Sequence, residues 1–72
     1  MNEGFCIRLR HLRERKGVKR YVMSELCGLN HNAVRRYENG ESIPSAEALD
    51  AMADYLGVSM QYLWRGEDGS AR

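Results

Sequence analysis

Apolar residues recur along the chain at helical spacing, and glycines separate one apolar stretch from the next. Phe5, Leu9 and Leu12 follow one another at i, i+4 and i+7, which places them on one side of a helix. Basic side chains fill most of the remaining positions, and Gly17 follows them as a helix-ending residue would. The pattern therefore predicts a first helix over about 5–16 with one buried stripe.

Four more helices are predicted after the first. The clearest repeat lies between Ser45 and Gly57, where apolar residues recur at i, i+3, i+4 and i+7. No stretch has the pattern of a strand, so the predicted fold class is all-α, a compact bundle of about five short helices. Residues 1–66 would form this single domain, and residues 67–72 a flexible C-terminal tail. The later helices are predicted at about 20–27, at about 31–39, from an N-cap at Ser45 to Gly57, and from an N-cap at Ser59 to about 64.

The second and third predicted helices are separated by only a few residues, which include Gly28 and Asn30. Gly28 favours a sharp turn, and Asn30 is a residue type that caps the start of a helix. Val22, Met23 and Leu26 form the expected buried face of the second helix. Two short helices joined by a tight turn are typical of the helix-turn-helix arrangement.

The third predicted helix has one apolar side and one side made of histidine, asparagine and arginine. Ala33, Val34 and Tyr37 lie on the apolar side. An arginine fork can donate to O6 and N7 of guanine, and an asparagine amide can pair with N6 and N7 of adenine. The polar side thus fits the major groove of DNA, and the alternative is an ordinary solvated helix face. Its residues are His31, Asn32, Arg35, Arg36 and Asn39.

Charge is unevenly distributed along the chain, although the net charge is only +1. Residues 1–37 carry nine lysines and arginines against three acidic residues, which gives a net charge of +6. Residues 38–72 carry two arginines against seven acidic residues, which gives −5. This separation fits one face that binds a polyanion and another that does not, and solvated helix faces are the alternative.

A chain of 72 residues allows one domain, and its sequence argues against several classes of protein. No apolar run is long enough to cross a membrane, and the N-terminus lacks an apolar signal segment, so we expect a cytoplasmic protein. The sequence has no catalytic constellation and no clustered glycines that would hold a phosphate group. We therefore expect no enzymatic activity, no cofactor and no small-molecule ligand.

Two cysteines and two histidines raise the question of a metal site. Cys6 and His11 are separated by four residues, and Cys27 and His31 by three. The closely spaced cysteine pair of many zinc sites is missing, and Cys27 falls on the expected core side whereas His31 falls on the solvent side. We therefore expect no metal, and interpret both cysteines as partly buried, reduced thiols.

Three segments of the chain together resemble the phage lambda/Cro and Xre-type family of helix-turn-helix repressors. The resemblance covers about residues 5–66, and its most specific part is the run RYENG at the end of the third predicted helix. It implies a lambda-repressor-like fold and a sequence-specific transcriptional regulator, most often a repressor, whose third helix (31–39) enters the major groove of double-stranded DNA. The segments are FCIRLRHLRERKG, GVKRYVMSELCGLNHNAVRRYENGESIP and LDAMADYLGVSMQYL.

The resemblance also implies roles for single residues. Asn32 and Arg36, four positions apart, are the leading candidates for base contacts, and Arg20 opens the second helix where the family contacts a phosphate. An ion pair between Arg13 and Glu38 would tie the first helix to the end of the third. The implied base contacts are His31, Asn32, Arg35 and Arg36, and the implied phosphate contacts are Lys19, Arg20, Asn39 and Gly40.

Four positions depart from the usual pattern of this family. Lys19 replaces the common serine or threonine N-cap of the second helix, and Glu41 stands where a basic residue is common. Ser24 replaces the usual alanine, and Cys27 the usual leucine. These departures predict a weaker start of the second helix and a weaker contact with phosphate, but no change of fold.

Two kinds of partner follow from these observations. Repressors of this family commonly bind two half-sites as a symmetric dimer, which implies an inverted-repeat operator and a homodimer. Ile7 points off the buried stripe of the first helix, and with any exposed surface of Met60 and Trp64 it would form a dimer patch. The alternative is a protein-interaction module on the same fold, such as the antitoxin of a toxin–antitoxin pair.

Overall fold

The computed structural model describes the backbone of residues 2–66 and the side chains of residues 4–66. Every regular element in this range is an α-helix, which confirms the prediction of an all-α fold with five helices. No helix in the range combines the length and the apolar character needed to span a membrane. The predicted tail at 67–72 lies outside the described residues. The helices are α1 (Asn2–Lys16), α2 (Arg20–Leu26), α3 (Ala33–Glu38), α4 (Ala46–Leu56) and α5 (Met60–Arg65).

All five helices contribute side chains to one apolar core. From its predicted stripe, α1 supplies Phe5 and Leu9, which are buried, whereas Leu12 is only partly buried. Removing such side chains from water contributes roughly 25 cal/mol per Å² of apolar area, which is the main favourable term for a bundle of this size. The core residues are Phe5, Leu9, Met23, Val34, Met52, Ala53 and Leu63.

Arg8 connects α1 to the C-terminal end of α5 through two hydrogen bonds. Its Nε donates to the carbonyl oxygen of Leu63 at 3.0 Å, and its Nη2 donates to that of Trp64 at 2.8 Å. Both carbonyls belong to the last turn of α5, where no further amide of the helix is available and where a cation is favoured. The rings of Phe5 and Trp64 lie beside this contact, with their centroids 5.0 Å apart.

Arg13 connects α1 to both α3 and the segment that precedes α2. Its Nε donates to Glu38 Oε2 at 2.5 Å and its Nη2 to Glu38 Oε1 at 3.1 Å, while its Nη1 donates to the carbonyl oxygen of Val18 at 2.8 Å. The pair is shielded from water, since the side chains are only 12% (Arg13) and 3% (Glu38) exposed. The ion pair that the resemblance implied is therefore present, and its two parallel hydrogen bonds fix the orientation as well as the distance.

The start of α3 differs from the prediction, because the helix begins at Ala33 instead of His31. The Asn30 side chain accepts a hydrogen bond from the backbone N of Asn32 at 3.0 Å, and the Asn30 carbonyl accepts one from the backbone N of Ala33 at 2.9 Å. These bonds hold His31 and Asn32 in a turn, which competes with the helical conformation. The prediction that Asn30 is the N-cap of this helix is therefore wrong, and Asn32 occupies that position.

The buried side of α2 also differs from the prediction. Leu26 is 63% exposed, whereas Met23 and Ser24 are fully buried and Cys27 packs partly against the core. At about 100° per residue, the side formed by these three residues lies well round the helix from Leu26. The prediction failed because it followed the large apolar residues, and the small hydroxyl side chain of Ser24 did not count among them.

Serine side chains cap the N-termini of α4 and α5, as the sequence predicted. Ser45 Oγ accepts a hydrogen bond from the backbone N of Ala48 at 3.1 Å, and Ser59 Oγ accepts one from that of Tyr62 at 3.0 Å. Each bond satisfies an amide that has no acceptor within the helix. Lys19, at the N-cap of α2, makes no such bond, in agreement with the predicted weak start of that helix.

We expect Glu38→Ala to lower the free energy of unfolding by about 3–5 kcal/mol, because it leaves the Arg13 charge buried without its partner. Urea denaturation followed by circular dichroism measures this change. The double variant Arg13→Met/Glu38→Leu should recover much of the loss, since it removes both charges and keeps apolar volume. The exposed Glu25→Ala is the control. A loss in Glu38→Ala no larger than that of the control would contradict the role of the ion pair.

Candidate nucleic-acid interface

Helices α1, α2 and α3 enclose an open cleft of about 580 Å³, called here the α3 cleft. Its lining combines one side of α1, the start of α2 and the polar side of α3. Arginine is the commonest residue type in it. The lining residues are Arg10, Arg13, Glu14, Lys19, Arg20, Tyr21, His31, Asn32, Arg35, Glu38 and Asn39.

The α3 cleft brings together six of the eight residues for which the sequence predicted contacts with DNA. Arg36 and Gly40 are the two outside its lining. Arg36 lies one turn after Asn32, whose carbonyl oxygen accepts a hydrogen bond from the Arg36 backbone N at 3.0 Å. The N–H of Gly40 already donates to the carbonyl oxygen of Tyr37 at 3.2 Å. The six residues in the cleft are Lys19, Arg20, His31, Asn32, Arg35 and Asn39.

The polar side of α3 is unevenly exposed. His31 and Arg36 are exposed, whereas Asn32 and Arg35 are half-buried. The side chains of these four residues make no hydrogen bond to any residue between 4 and 66. Their donors and acceptors therefore remain available to a ligand.

Ser24 fixes α3 relative to α2 from inside the domain. Its hydroxyl donates to the carbonyl oxygen of Arg20 at 3.0 Å and accepts a hydrogen bond from the backbone N–H of Val34 at 3.0 Å. Val34 belongs to the first turn of α3, whose amides have no acceptor within the helix, and both Ser24 and Val34 are fully buried. The hydroxyl supplies the missing acceptor, so the departure from alanine at this position has a structural role.

The turn between α2 and α3 is closed by backbone hydrogen bonds around Gly28. The backbone N of Leu29 donates to the carbonyl oxygen of Ser24 at 2.8 Å, and that of Gly28 to the carbonyl oxygen of Glu25 at 3.0 Å. Gly28 has a φ of 73°, which a side chain disfavours. The predicted sharp turn is thus present, and it directs the chain from α2 toward the polar side of α3.

The α3 cleft carries an excess of positive charge. Glu38 neutralises Arg13, and Glu14 is the other acidic residue of the lining. Several basic side chains on one surface attract a polyanion, such as the backbone of a nucleic acid. The four remaining basic residues have no ion-pair partner in the part of the chain that the structure describes, and they are Arg10, Lys19, Arg20 and Arg35.

Arg10 and Tyr21 also line the cleft, and neither was predicted as a site residue from the sequence. Arg10 precedes Arg13 by three positions and so lies on the same face of α1, which was a usable signal. Tyr21 is 55% exposed. No periodic signal marks it, because an aromatic residue in a helical pattern is more often part of the core.

Asn39 and Glu41 form a polar contact after the end of α3. Asn39 Nδ2 donates to Glu41 Oε2 at 3.4 Å, and both residues are exposed. The backbone N of Glu41 donates to the carbonyl oxygen of Arg36 at 2.8 Å, which fixes the position of Glu41 relative to α3. A carboxylate thus lies beside a residue with a predicted phosphate contact, where it would repel an anion.

The two cysteines are held at separate places. Cys6 Sγ donates to the carbonyl oxygen of Tyr37 at 3.1 Å, and Cys27 Sγ donates to that of Ala51 at 3.8 Å. Burial raises the pKa of the Cys27 thiol, which keeps it protonated at neutral pH and disfavours metal binding. Within the described residues, no three histidine, cysteine or acidic side chains lie close enough together to hold a metal ion.

Comparison with known proteins assigns this arrangement to a family. Residues 5–71 match the family model for the helix-turn-helix domain. The chain belongs to the helix-turn-helix domain family. The similarity to lambda-repressor-like, Xre-type proteins that the sequence indicated is confirmed.

The chain is similar to a curated regulator of Bacillus subtilis (strain 168), the SPbeta prophage-derived uncharacterized HTH-type transcriptional regulator YonR. The two sequences are 31% identical over 62 residues. The match covers 86% of this chain and 57% of that protein, so the chain spans little more than half the length of this relative.

Two solved structures share the fold of this helix-turn-helix domain. The P22 c2 repressor, in complex with synthetic operator 9T in the presence of Tl⁺, has a TM-score of 0.82 and 25% identity, and the match covers 88% of this chain and 96% of that one. The hypothetical transcription factor NHTF from Neisseria has a TM-score of 0.81 and 24% identity, with 88% and 72% of the two chains covered. The predicted lambda-repressor-like fold is confirmed.

We expect Ser24→Ala to lower the free energy of unfolding by about 1–3 kcal/mol, because the buried N–H of Val34 loses its acceptor. Thermal and urea unfolding both measure this change. Ser42→Ala is the matched control, since Ser42 makes no hydrogen bond to the described residues. Equal stability of the two variants would show that the Ser24 hydroxyl contributes nothing specific.

Proposed function

We propose that this domain binds double-stranded DNA at specific sequences and represses transcription there, with α3 in the major groove. The main observation behind the proposal concerns the polar side of α3. Its residues His31, Asn32 and Arg35, whose side chains bond to no described residue, line the same cleft as the basic side chains of α1 and of the start of α2. A helix of about 10–12 Å diameter fits a major groove about 12 Å wide. The names of the relatives point the same way, since one is a transcriptional regulator and another a repressor in complex with an operator.

Asn32 and Arg36 supply the chemistry for base recognition in this proposal. Asn32 is the N-cap of α3 and Arg36 follows one turn later, and helix-turn-helix proteins direct the N-terminal part of the second helix at base edges. The guanidinium of Arg36 suits guanine, and the amide of Asn32 suits adenine. His31 and Arg35 each directly precede one member of this pair in the sequence, and both line the α3 cleft with Asn32.

Phosphate contacts would come from both ends of this surface. Lys19 and Arg20 lie at the start of α2, in the same cleft as the polar side of α3. The Ser24 hydroxyl donates to the Arg20 carbonyl and accepts from the Val34 amide, which connects this part of α2 to α3. Asn39 and Gly40 would contact the backbone beyond the other end of α3. Each cation that neutralises a phosphate releases a counterion, which makes the affinity dependent on salt.

We also propose that two copies of the domain bind an inverted-repeat operator as a homodimer. Half-sites in such operators lie about 34 Å apart. The domain measures 31 × 22 × 21 Å, so two adjoining copies are large enough to present α3 to successive major grooves. The predicted dimer patch is smaller than expected, because Met60 and Trp64 pack partly against the core and only Ile7 is exposed.

Selection from a randomised duplex pool of about 25 bp at moderate salt, followed by sequencing, tests the proposal. We expect enrichment of an inverted repeat. Enrichment of a single half-site would contradict the dimer and keep sequence recognition. Binding without enrichment, lost as salt rises, would contradict sequence recognition itself.

Arg36→Ala should weaken binding to the selected duplex about 5- to 150-fold and relax the preference at one base pair, because a bidentate contact is worth about 1–3 kcal/mol. Fluorescence anisotropy measures both effects. Arg15→Ala is the matched control, since it removes the same charge from an exposed position on α1 and leaves α3 unchanged. If the two variants behave alike, Arg36 contributes only charge, and the hypothesis of a protein-interaction module gains support.

Lys19→Ala should weaken binding to all duplexes equally and reduce the slope of log K against log salt concentration by about one. The physical reason is the loss of one phosphate contact and of the counterion that this contact releases. Anisotropy titrations at several salt concentrations give the slope. A change in base preference without a change in slope would place Lys19 among the base contacts instead.

A further inference from the structure

Tyr21 is an aromatic residue that the apolar core does not use. Its side chain is largely exposed, and it makes no hydrogen bond and no ring contact within residues 4–66. Tyr37 and Tyr55, in contrast, pack against the core, and the Tyr55 ring also contacts the ammonium group of Lys16. Packing in the fold therefore does not account for an aromatic ring at position 21.

The position of Tyr21 on α2 directs its side chain toward the α3 cleft. Tyr21 precedes Ser24 by three residues, which places the two side chains about 60° apart around the helix. Ser24 faces α3, because its hydroxyl accepts a hydrogen bond from the Val34 amide. Tyr21 accordingly lines the same cleft as His31 and Asn32, the two residues directly before α3.

The Tyr21 hydroxyl is a neutral donor among cations. Lys19 and Arg20 directly precede Tyr21 in the chain, and Arg10 lines the same cleft from α1. None of these three cations has an ion-pair partner in the part of the chain that the structure describes. An anion that they attract therefore meets an unengaged hydroxyl group in the same cleft.

We propose that the Tyr21 hydroxyl donates a hydrogen bond to a phosphate oxygen of the DNA backbone. This inference rests on the proposed function, and it assigns a contact to a residue for which the sequence predicted none. In helix-turn-helix proteins the first helix of the motif crosses the backbone while the second enters the major groove. Because α2 is the first of these two helices, its exposed side chains meet phosphate and sugar groups instead of base edges. Tyrosine is among the residue types that donate to phosphate oxygens in such interfaces.

A neutral donor contributes to affinity in a different way from a cation. Lys19 and Arg20 each release counterions when they neutralise a phosphate, so their contributions fall as the salt concentration rises. A tyrosine hydroxyl donates without a charge and releases no counterion, so its contribution does not depend on salt. Tyr21 therefore supplies a part of the affinity that persists at high salt concentration.

The stiffness of the tyrosine side chain makes this contact suited to positioning. Only two torsions place the hydroxyl of Tyr21, whereas the ammonium group of Lys19 lies at the end of a flexible four-carbon chain. Fixing the tyrosine therefore costs less conformational entropy than fixing the lysine. Contacts with phosphate fix the register of a protein on the duplex. Since Ser24 bonds α2 to α3, a fixed position of Tyr21 also fixes where α3 enters the groove.

The test measures the affinity of the whole chain for two labelled duplexes of about 25 bp, one with the selected sequence and one with that sequence scrambled. Tyr21→Phe removes only the hydroxyl and should weaken binding of both duplexes about five- to tenfold, because every duplex offers a phosphate. The slope of log K against log salt concentration should stay the same. In Lys19→Ala, by comparison, that slope should fall by about one.

Tyr55→Phe is the matched control, because it makes the same chemical change outside the α3 cleft. The Tyr21 hydroxyl bonds to no described residue, so urea unfolding of Tyr21→Phe should match that of the unmodified chain. A series of selected duplexes, each with one methylphosphonate in place of a phosphate, locates the contact. At one position of the half-site the effect of Tyr21→Phe should be much smaller than at the others, since the charged acceptor is already missing there.

Three results would overturn the proposal. One is equal affinity of Tyr21→Phe and the unmodified chain, and another is an equal loss in Tyr55→Phe. A loss confined to the selected sequence would show that Tyr21 contacts a base and not the backbone. Failure of the proposed function has a different signature. Equal binding of the selected and scrambled duplexes would contradict sequence recognition, and a loss in Tyr21→Phe at unchanged slope would still support the phosphate contact. Absence of any duplex binding by the unmodified chain would contradict both.

Discussion

The buried ion pair between Arg13 and Glu38 constrains the arrangement of the helices more than any other single contact. Removing two charges from water costs several kcal/mol for each ion, and the attraction between them offsets this cost only when the geometry is good. The chain must therefore bring α1 to the C-terminal end of α3 in one orientation. The third hydrogen bond of Arg13, to the carbonyl of Val18, fixes the path of the chain into α2 at the same time. The apolar core contributes most of the favourable free energy, but apolar contacts tolerate more variation in orientation than a two-point charged contact does.

Helix α3 depends entirely on such contacts, because six residues are too few for a stable isolated helix. Glu38 holds its last turn against α1, and the Ser24 hydroxyl holds its first turn against α2. Val34 buries the inner side in the core. Every one of these attachments uses the backbone, the inner side or the end of the helix, so the outer polar side takes no part in folding. The rest of the domain therefore holds the outer polar side of α3 in place without bonding to its side chains.

Prediction from the sequence was correct where contacts between neighbouring residues decide the structure. Ser45 and Ser59 cap their helices because a cap bonds an amide only three residues away. It failed where a contact between distant residues decides the outcome. The buried side of α2 contains Ser24 instead of Leu26, because the Ser24 hydroxyl accepts a hydrogen bond from the Val34 amide, ten residues later in the chain. The spacing of apolar residues gives no information about that bond. The contact between Arg13 and Glu38, 25 residues apart, came from a family resemblance and not from any pattern, and the α3 cleft follows only from the relative placement of the helices.

The outward side chains of α3 can change during evolution with little effect on stability, because they form no bonds within the described domain. His31 and Arg36 are exposed, and neither side chain bonds to another described residue. Exchanges at these positions therefore leave the folded population nearly constant, so mutations can accumulate there and explore new ligands one step at a time. Exchanges at Ser24 or Glu38 act in the opposite way, since they change how much folded protein a cell contains while the exposed chemistry stays the same. Selection can thus act on abundance and on molecular recognition through separate sets of codons.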